Sequence, residues 1–185
     1  MIINCVIGQA GSGKSTFIGQ KFPRDQHIFF DVGDILRGMF TCFKGNQGNK
    51  NVWSFANPLV YSIMKKCISI SSKTNYPVVF DGFPRNSTQV RHLHRYLTSP
   101  RLGKVEVLVH CLDINIDEQM SRIEKRNGGL DDYQIKRIKQ SRNDFEGVLD
   151  EIEKLILDSR NHPVSYECKW YKQIDDGFIL EEPRR

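Results

Sequence analysis

The sequence predicts an α/β fold built on a doubly wound parallel sheet, and three observations predict it. Apolar runs of strand length recur along the chain, each followed by turn residues or a helix-like stretch. Those runs are apolar at successive positions rather than alternate ones, the pattern of strands covered by helices on both faces. The first of them passes directly into a glycine-rich turn and then a helical segment, the opening of a βαβ unit. At 185 residues the chain is expected to be one domain with room for small inserted lobes. Folding at this length buries roughly 70% of the unfolded surface, enough for a core without covalent staples.

Taken in order, the expected strands are Ile2 to Ile7, Ile28 to Val32, Val78 to Phe80 and Val105 to Leu112, with a weaker fifth at Trp170 to Ile174. A helix is expected over Asp117 to Arg126. The strongest helical signal runs from Asp131 to Ser159, where Ile138, Phe145, Val148, Leu149, Ile152, Leu155 and Ile156 recur at three- and four-residue spacing. Thr41 to Ser54, rich in Gly, Asn and Lys, breaks the rhythm and reads as a mobile loop or the tip of an inserted lobe. Internal repeats and low-complexity tracts are absent from the sequence.

Hydrophobic residues at 39% and charged residues at 26% belong to a globular chain rather than a disordered one. The five cysteines form no CxxC pair, so they outline neither a zinc knuckle nor a disulfide framework. Cys5 and Cys111 lie inside apolar runs and read as buried reduced thiols, which points to a reducing, intracellular setting. With no signal peptide and no stretch approaching the ~20 apolar residues of a membrane span, the expected location is the cytoplasm, with the nucleus as the other option. The net charge of +5 favours anionic partners, either nucleotide phosphates or nucleic acid. Because the basic residues are spread along the chain rather than packed into a block, charge alone does not choose between them.

Gly8-Gln9-Ala10-Gly11-Ser12-Gly13-Lys14-Ser15 satisfies G-x-x-x-x-G-K-[ST] in full, between a strand and the helix opened by Thr16. Its glycines let backbone N–H groups turn inward as an anion nest, and the helix N-terminus adds partial positive charge. Lys14 would reach the β- and γ-phosphates of ATP, and the Ser15 hydroxyl would hold Mg²⁺. Val78-Val79-Phe80-Asp81 is an apolar strand ending in a carboxylate, placed where a P-loop fold sets the acid that orients Mg²⁺.

Asp81-Gly82-Phe83-Pro84-Arg85, with Asp31-Val32-Gly33-Asp34-Ile35-Leu36-Arg37, resembles the adenylate kinase family and its uridylate-cytidylate kinase relatives. The resemblance runs in order from the P-loop to Ile174-Asp175-Asp176-Gly177. It implies a five-stranded P-loop core, a monophosphate-binding lobe over about 37–75, a lid over about 122–137, and transfer of the γ-phosphoryl group of ATP. By that resemblance Arg37 and Arg85 grip the acceptor's α-phosphate beside Gly33 and Gly82, a task suited to a planar fork of donors. Arg122 and Arg126, four apart on one helix face, match arginines that meet the donor adenine and phosphates. Arg137 matches the arginine on the helix leaving the lid.

Three departures accompany the resemblance. The family arginine two residues before the acidic pair is missing ahead of Asp131-Asp132, and Arg142, one turn and a little beyond Arg137, could supply the missing charge. Only Asn127 to Leu130 separate Arg126 from Asp131, so the lid is very short. Val32 stands where the family has a hydroxyl residue. Gln89, four residues after Arg85, can donate to and accept from the edge of adenine and favours AMP as acceptor, whereas Asn86 is reminiscent of the pyrimidine kinases. His92 and His94 are expected on a solvated helix face, and Trp53-Ser54-Phe55 in the lobe's own core. The expected activity is therefore ATP:AMP phosphotransfer by a monomer, with UMP or CMP as the alternative acceptor. A non-enzymatic basic P-loop protein that binds RNA or a partner is the alternative of another class.

Overall fold

The computed structural model describes residues 1–41, 50–158, 163–174 and 177–181, and for residues 37, 39–41 and 50–56 the backbone alone. The chain order is β1 (Ile2–Gly8), α1 (Lys14–Lys21), β2 (Ile28–Asp31), α2 (Val32–Thr41), α3 (Lys50–Thr74), β3 (Val78–Asp81), α4 (Ser87–Leu97), β4 (Val105–Leu112), α5 (Ile116–Asn127), α6 (Asp132–Asp158), β5 (Val164–Ile174) and β6 (Gly177–Glu181). The strands form one sheet in the order β2-β3-β1-β4-β5-β6. The first five are parallel, and β6 returns antiparallel against β5, pairing Trp170 with Glu181 and Ile174 with Gly177.

Residue alternation along the strands explains the two layers. In β1 the odd positions Ile3, Cys5 and Ile7 face a large core with α3, α4 and α6, contributed by Val60, Met64, Ile68, Leu93, Leu97, Val148 and Ile152. The even position Val6 faces a smaller cluster with Phe17, Ile18 and Phe22 of α1. Both faces of this central strand therefore meet helices, which is why Ile3, Cys5, Val6 and Ile7 are apolar without alternation, with buried Asn4 the polar exception. On the α1 side the His110 ring nitrogen Nε2 lies 3.0 Å from Asn4 Oδ1, and burial pushes the imidazole down to about 4.

Four boundaries depart from expectation. Val32 opens α2 instead of ending β2, because the Asp31 carboxylate accepts the Asp34 N–H at 3.0 Å and starts a helix there. Lys50 to Ser54, assigned above to a loop, are the first residues of α3, while 42–49 of that loop lie outside the described residues. β5 begins six residues before Trp170, since Ser165, Glu167 and Lys169 alternate with buried Val164 and Tyr166 and half-buried Cys168 and hide it from a search for continuous apolar runs. β6 carries the weakest signal and makes the sheet six-stranded rather than five-stranded.

Candidate active site

The glycine-rich turn is shaped by close approaches. A side chain at Gly8 would collide with the Leu112 carbonyl oxygen, which lies 2.3 Å from the position a Cβ would take. Gly13, at φ 84°, is the left-handed residue that starts α1, with no side chain capping the helix. The first N–H groups of α1 are thereby left facing the turn. Lys14 folds back on its own loop, its ammonium donating to the carbonyls of Gly8 at 2.9 Å and Gln9 at 2.8 Å. Desolvation pushes that ammonium down to about 8; Asp81 opposes the fall, and the charges of Arg85 and Arg126 add to it. Ser15 and Thr16 are exposed on the open side, whereas Ser12 is buried. Among the described residues the Ser12 hydroxyl and the Gln9 amide oxygen have no hydrogen-bond partner, polar groups left over for an incoming ligand.

The facing wall is the end of β3. Asp81 lies in register with Val6 on one side and Asp31 on the other, which puts carboxylates at the C-terminal edge of the sheet, where ligands of open α/β folds bind. Gly82, at φ 62°, turns the chain, and a cis peptide joins Phe83 to Pro84. The Arg85 Nε donates to the Gly82 carbonyl at 2.8 Å, so the guanidinium is held beside Asp81. Gln89 is 2% exposed. Its amide oxygen accepts the Arg85 N–H at 2.8 Å and its amide nitrogen donates to Asn57 at 3.4 Å. Asn86 has a structural role, its side chain capping α4 by accepting the Gln89 N–H at 3.0 Å. Gly33 stands in the first turn of α2, with Val32 fully buried in the large core. Arg37 follows on the same helix, its side chain outside the described ones.

The third wall comes from α5, α6 and the β5–β6 hairpin. Arg122 lies across the turn: one amino group donates to the Gly11 carbonyl at 3.1 Å and to Gln173 Oε1, the other to Glu118. Arg126, one turn on, is exposed, and its charge reaches Lys14. Among the described residues Arg137 makes no hydrogen bond or ion pair with the turn; its guanidinium stacks 5.7 Å over Tyr133 on the same helix. Arg142 braces the scaffold, donating to the Ile114 carbonyl at 2.9 Å and to Gln119 at 3.1 Å. Between α5 and α6 there remains only the turn 128–131, closed on one side by the Gly128 C-cap and on the other by Asp131 and Gln134 bonding reciprocally at 2.7 and 3.2 Å.

Ser12, Asp113, Asn115, Arg122, Lys172 and Gln173 are among the residues around a cleft of about 160 Å³ beside the turn. Three contributors escaped the sequence reading. Asp113 accepts from the Gln9 amide at 2.8 Å and steadies the turn. Asp31 joins Asp81 through strand register, and Gln173 arrives on a strand that was only half recognised. His94 also departs from expectation: rather than lying on a solvated face, its ring bonds the Tyr166 hydroxyl at 3.0 Å. Trp53 to Phe55 fall in α3, with side chains outside the described ones.

A divalent ion here would find an exposed hydroxyl, Ser15, and a half-buried carboxylate, Asp81. Among the described residues no cluster of three or more His, Cys, Asp or Glu side chains could hold a metal by itself. That donor set fits Mg²⁺, which keeps several waters and completes its shell with substrate phosphates, and fits a thiol- or imidazole-bound metal poorly.

No protein-family model matches the chain. The adenylate kinase of Phocaeicola vulgatus is 33% identical over 145 residues, covering 71% of this chain and 72% of that protein. The adenylate kinases of Campylobacter fetus and Campylobacter concisus are each 28% identical, over 133 and 137 residues, covering 69% of this chain and 68% and 69% of theirs.

Proposed function

This chain belongs to the adenylate kinase family, and from that premise we propose that it transfers the γ-phosphoryl group of MgATP to AMP, reversibly giving two ADP. It is a nucleoside monophosphate kinase; AMP as acceptor and the residue roles below are proposed. The observation that carries it is the convergence of Lys14, Arg85 and Arg126 with Asp81 at the mouth of the glycine-rich turn. In the transfer, the bond from the γ-phosphorus to the bridging oxygen breaks and one forms to an oxygen of the acceptor's phosphate. That oxygen is already anionic, so no general base is required, and charge neutralisation and alignment dominate. Lys14 would leave the Gly8 and Gln9 carbonyls for the β- and γ-phosphates. Arg85 and Arg37 would hold the acceptor phosphate, Arg122 and Arg126 the donor side, with Arg137 recruited when the α5–α6 end meets nucleotide. Ser15 and Asp81 would hold Mg²⁺, directly or through its waters, and the ion would supply screening of the phosphate charges.

The acceptor base is the open choice. Gln89 has one amide N–H beyond its bond to Asn57 to offer a base edge, but its oxygen is engaged at Arg85, which favours weaker discrimination between adenine and the pyrimidines. ADP formation from ATP should be followed in a coupled assay with AMP, UMP and CMP in turn. The highest kcat/KM is expected with AMP. A preference for UMP or CMP would move the assignment to the pyrimidine kinases, and no turnover with any of the three would refute phosphotransfer.

A further inference from the structure

The cations of this chain are dispersed, but its carboxylates are not. From Ile35 to Val105 there are eleven Lys and Arg residues and a single acid, Asp81, whereas the rest of the chain carries 16 basic and 21 acidic residues. Nucleotide phosphates account for only part of this excess, at Arg37 and Arg85. The remainder is concentrated on α3 and α4, neither of which contains any Asp or Glu. So one-sided a charge works against the compact state by self-repulsion unless something anionic offsets it.

The two helices are neighbours. The Tyr61 and His92 rings stack at 3.8 Å between centroids, 14° from parallel, and the Tyr96 hydroxyl donates to the Lys65 carbonyl at 3.4 Å. Beside that contact lies an open groove of about 500 Å³ lined by Ser62, Ile63, Lys65, Lys66, Ser69 and Tyr96. Lys65, Lys66 and Arg95 are exposed, and no ion pair involves them among the described residues. The charges of Lys65 and Arg95 both reach His92, which with its burial holds that ring below the ordinary imidazole range. Arg91, by contrast, pairs with Glu151 of α6 at 2.9 Å and marks where the acidic part of the molecule begins. The groove opens on the side of the sheet covered by α3, α4 and α6, opposite α1.

We propose that the groove between α3 and α4 binds single-stranded nucleic acid, its phosphates lying along Lys65, Lys66 and Arg95 and a base extending the Tyr61–His92 stack. Cations flanking an aromatic platform, with serine hydroxyls between them, are the groups that hold a flexible phosphodiester chain. An anionic membrane would share the charge, but it would also need a contiguous apolar wedge. Among the described side chains of α3, the exposed large apolar ones, Leu59 at 41% and Ile70 at 39%, are separated by the polar groove positions.

The test measures fluorescence anisotropy of a labelled single-stranded RNA of ~20 nucleotides with the full-length protein over a KCl series. Binding is expected to weaken with salt at a logarithmic slope near −2, since each neutralised phosphate of a single strand contributes roughly 0.7. Lys65→Gln/Lys66→Gln/Arg95→Gln should weaken it at least tenfold and flatten the slope. Tyr61→Ala should weaken it with the slope unchanged, and Lys136→Gln/Lys139→Gln/Lys154→Gln should leave it alone. Phosphoryl transfer by the groove triple variant should equal that of the wild type, so failure of the kinase assignment would leave this result standing. No binding by the wild type would overturn the proposal. So would equal losses in the two triple variants, or RNA binding no tighter than heparin alongside capture of phosphatidylserine vesicles through the same three cations.

Discussion

Lys14 carries a charge whose hold on its proton the site itself has loosened. Desolvation and the neighbouring Arg85 and Arg126 place its pKa at about 8, below the ordinary lysine value near 10.4. The protonated form is the one that meets phosphates. In the free protein it is therefore complete below pH 7 and is lost as pH rises through 8. Because kcat/KM reports groups of the free enzyme, kcat/KM for ATP is expected to fall along a basic limb centred near pH 8. Bound polyphosphate adds negative charge beside the ammonium and raises its pKa, so kcat should hold to higher pH. Profiles of both constants, with Lys14→Arg as reference, check this. The arginine variant retains its charge and should lack the limb, whatever its absolute rate. The role proposed for Lys14 was read from eight consecutive residues of sequence. The loosened proton was not, because Asp81, Arg85 and Arg126 reach it only through the fold.

Among the elements, the hairpin of β5 and β6 departs most from what the sequence revealed. A strand on the sheet's margin keeps one side solvated, so Val164 to Lys169 alternate instead of running apolar, and β6 is a mere five residues. The central strands were readable because helices cover both their faces; the marginal ones depend on pairing that sequence alone does not display. Yet the hairpin reaches the site. Phe178 packs edge-on against Phe17 at 5.1 Å, and a Cβ on Gly13 would stand 2.6 Å from Gln173 Oε1. Gln173 thus restrains one amino group of Arg122, while the other pairs with Glu118. A hydrogen bond to a charged group contributes about 1.5–3 kcal/mol. Gln173→Leu is therefore expected to raise the KM for ATP roughly tenfold or more, with the acceptor's KM unchanged. Separate titrations of donor and acceptor check it; parallel increases in both would show a general loosening of the fold instead. The compact turn 128–131 raises the demand on such residues, since little polypeptide is left there to close over a nucleotide.

For the whole molecule, the proposed function would set donor and acceptor sites against each other across Lys14, between the three walls around the glycine-rich turn. A dinucleoside pentaphosphate joining two adenosines is expected to bind more tightly than ATP or AMP, because linkage spares one of two association entropies. Calorimetric titration decides this: affinity no better than that of ATP would count against two facing sites. The strand order also has a consequence for the chain while it is being made. β1 leaves the ribosome well before its neighbours in the sheet, β3 and β4, which begin at residues 78 and 105. At roughly 5–20 residues per second, the most apolar strand of the protein waits several seconds with both edges bare. Hairpin residues that press on Gly13 emerge later still. The motif that announces the enzyme in its first fifteen residues is thus finished only by residues translated more than 150 positions afterwards. During that interval the nascent chain is exposed to aggregation through an unpaired β1, and a chaperone that shields apolar segments would act on this strand before any other.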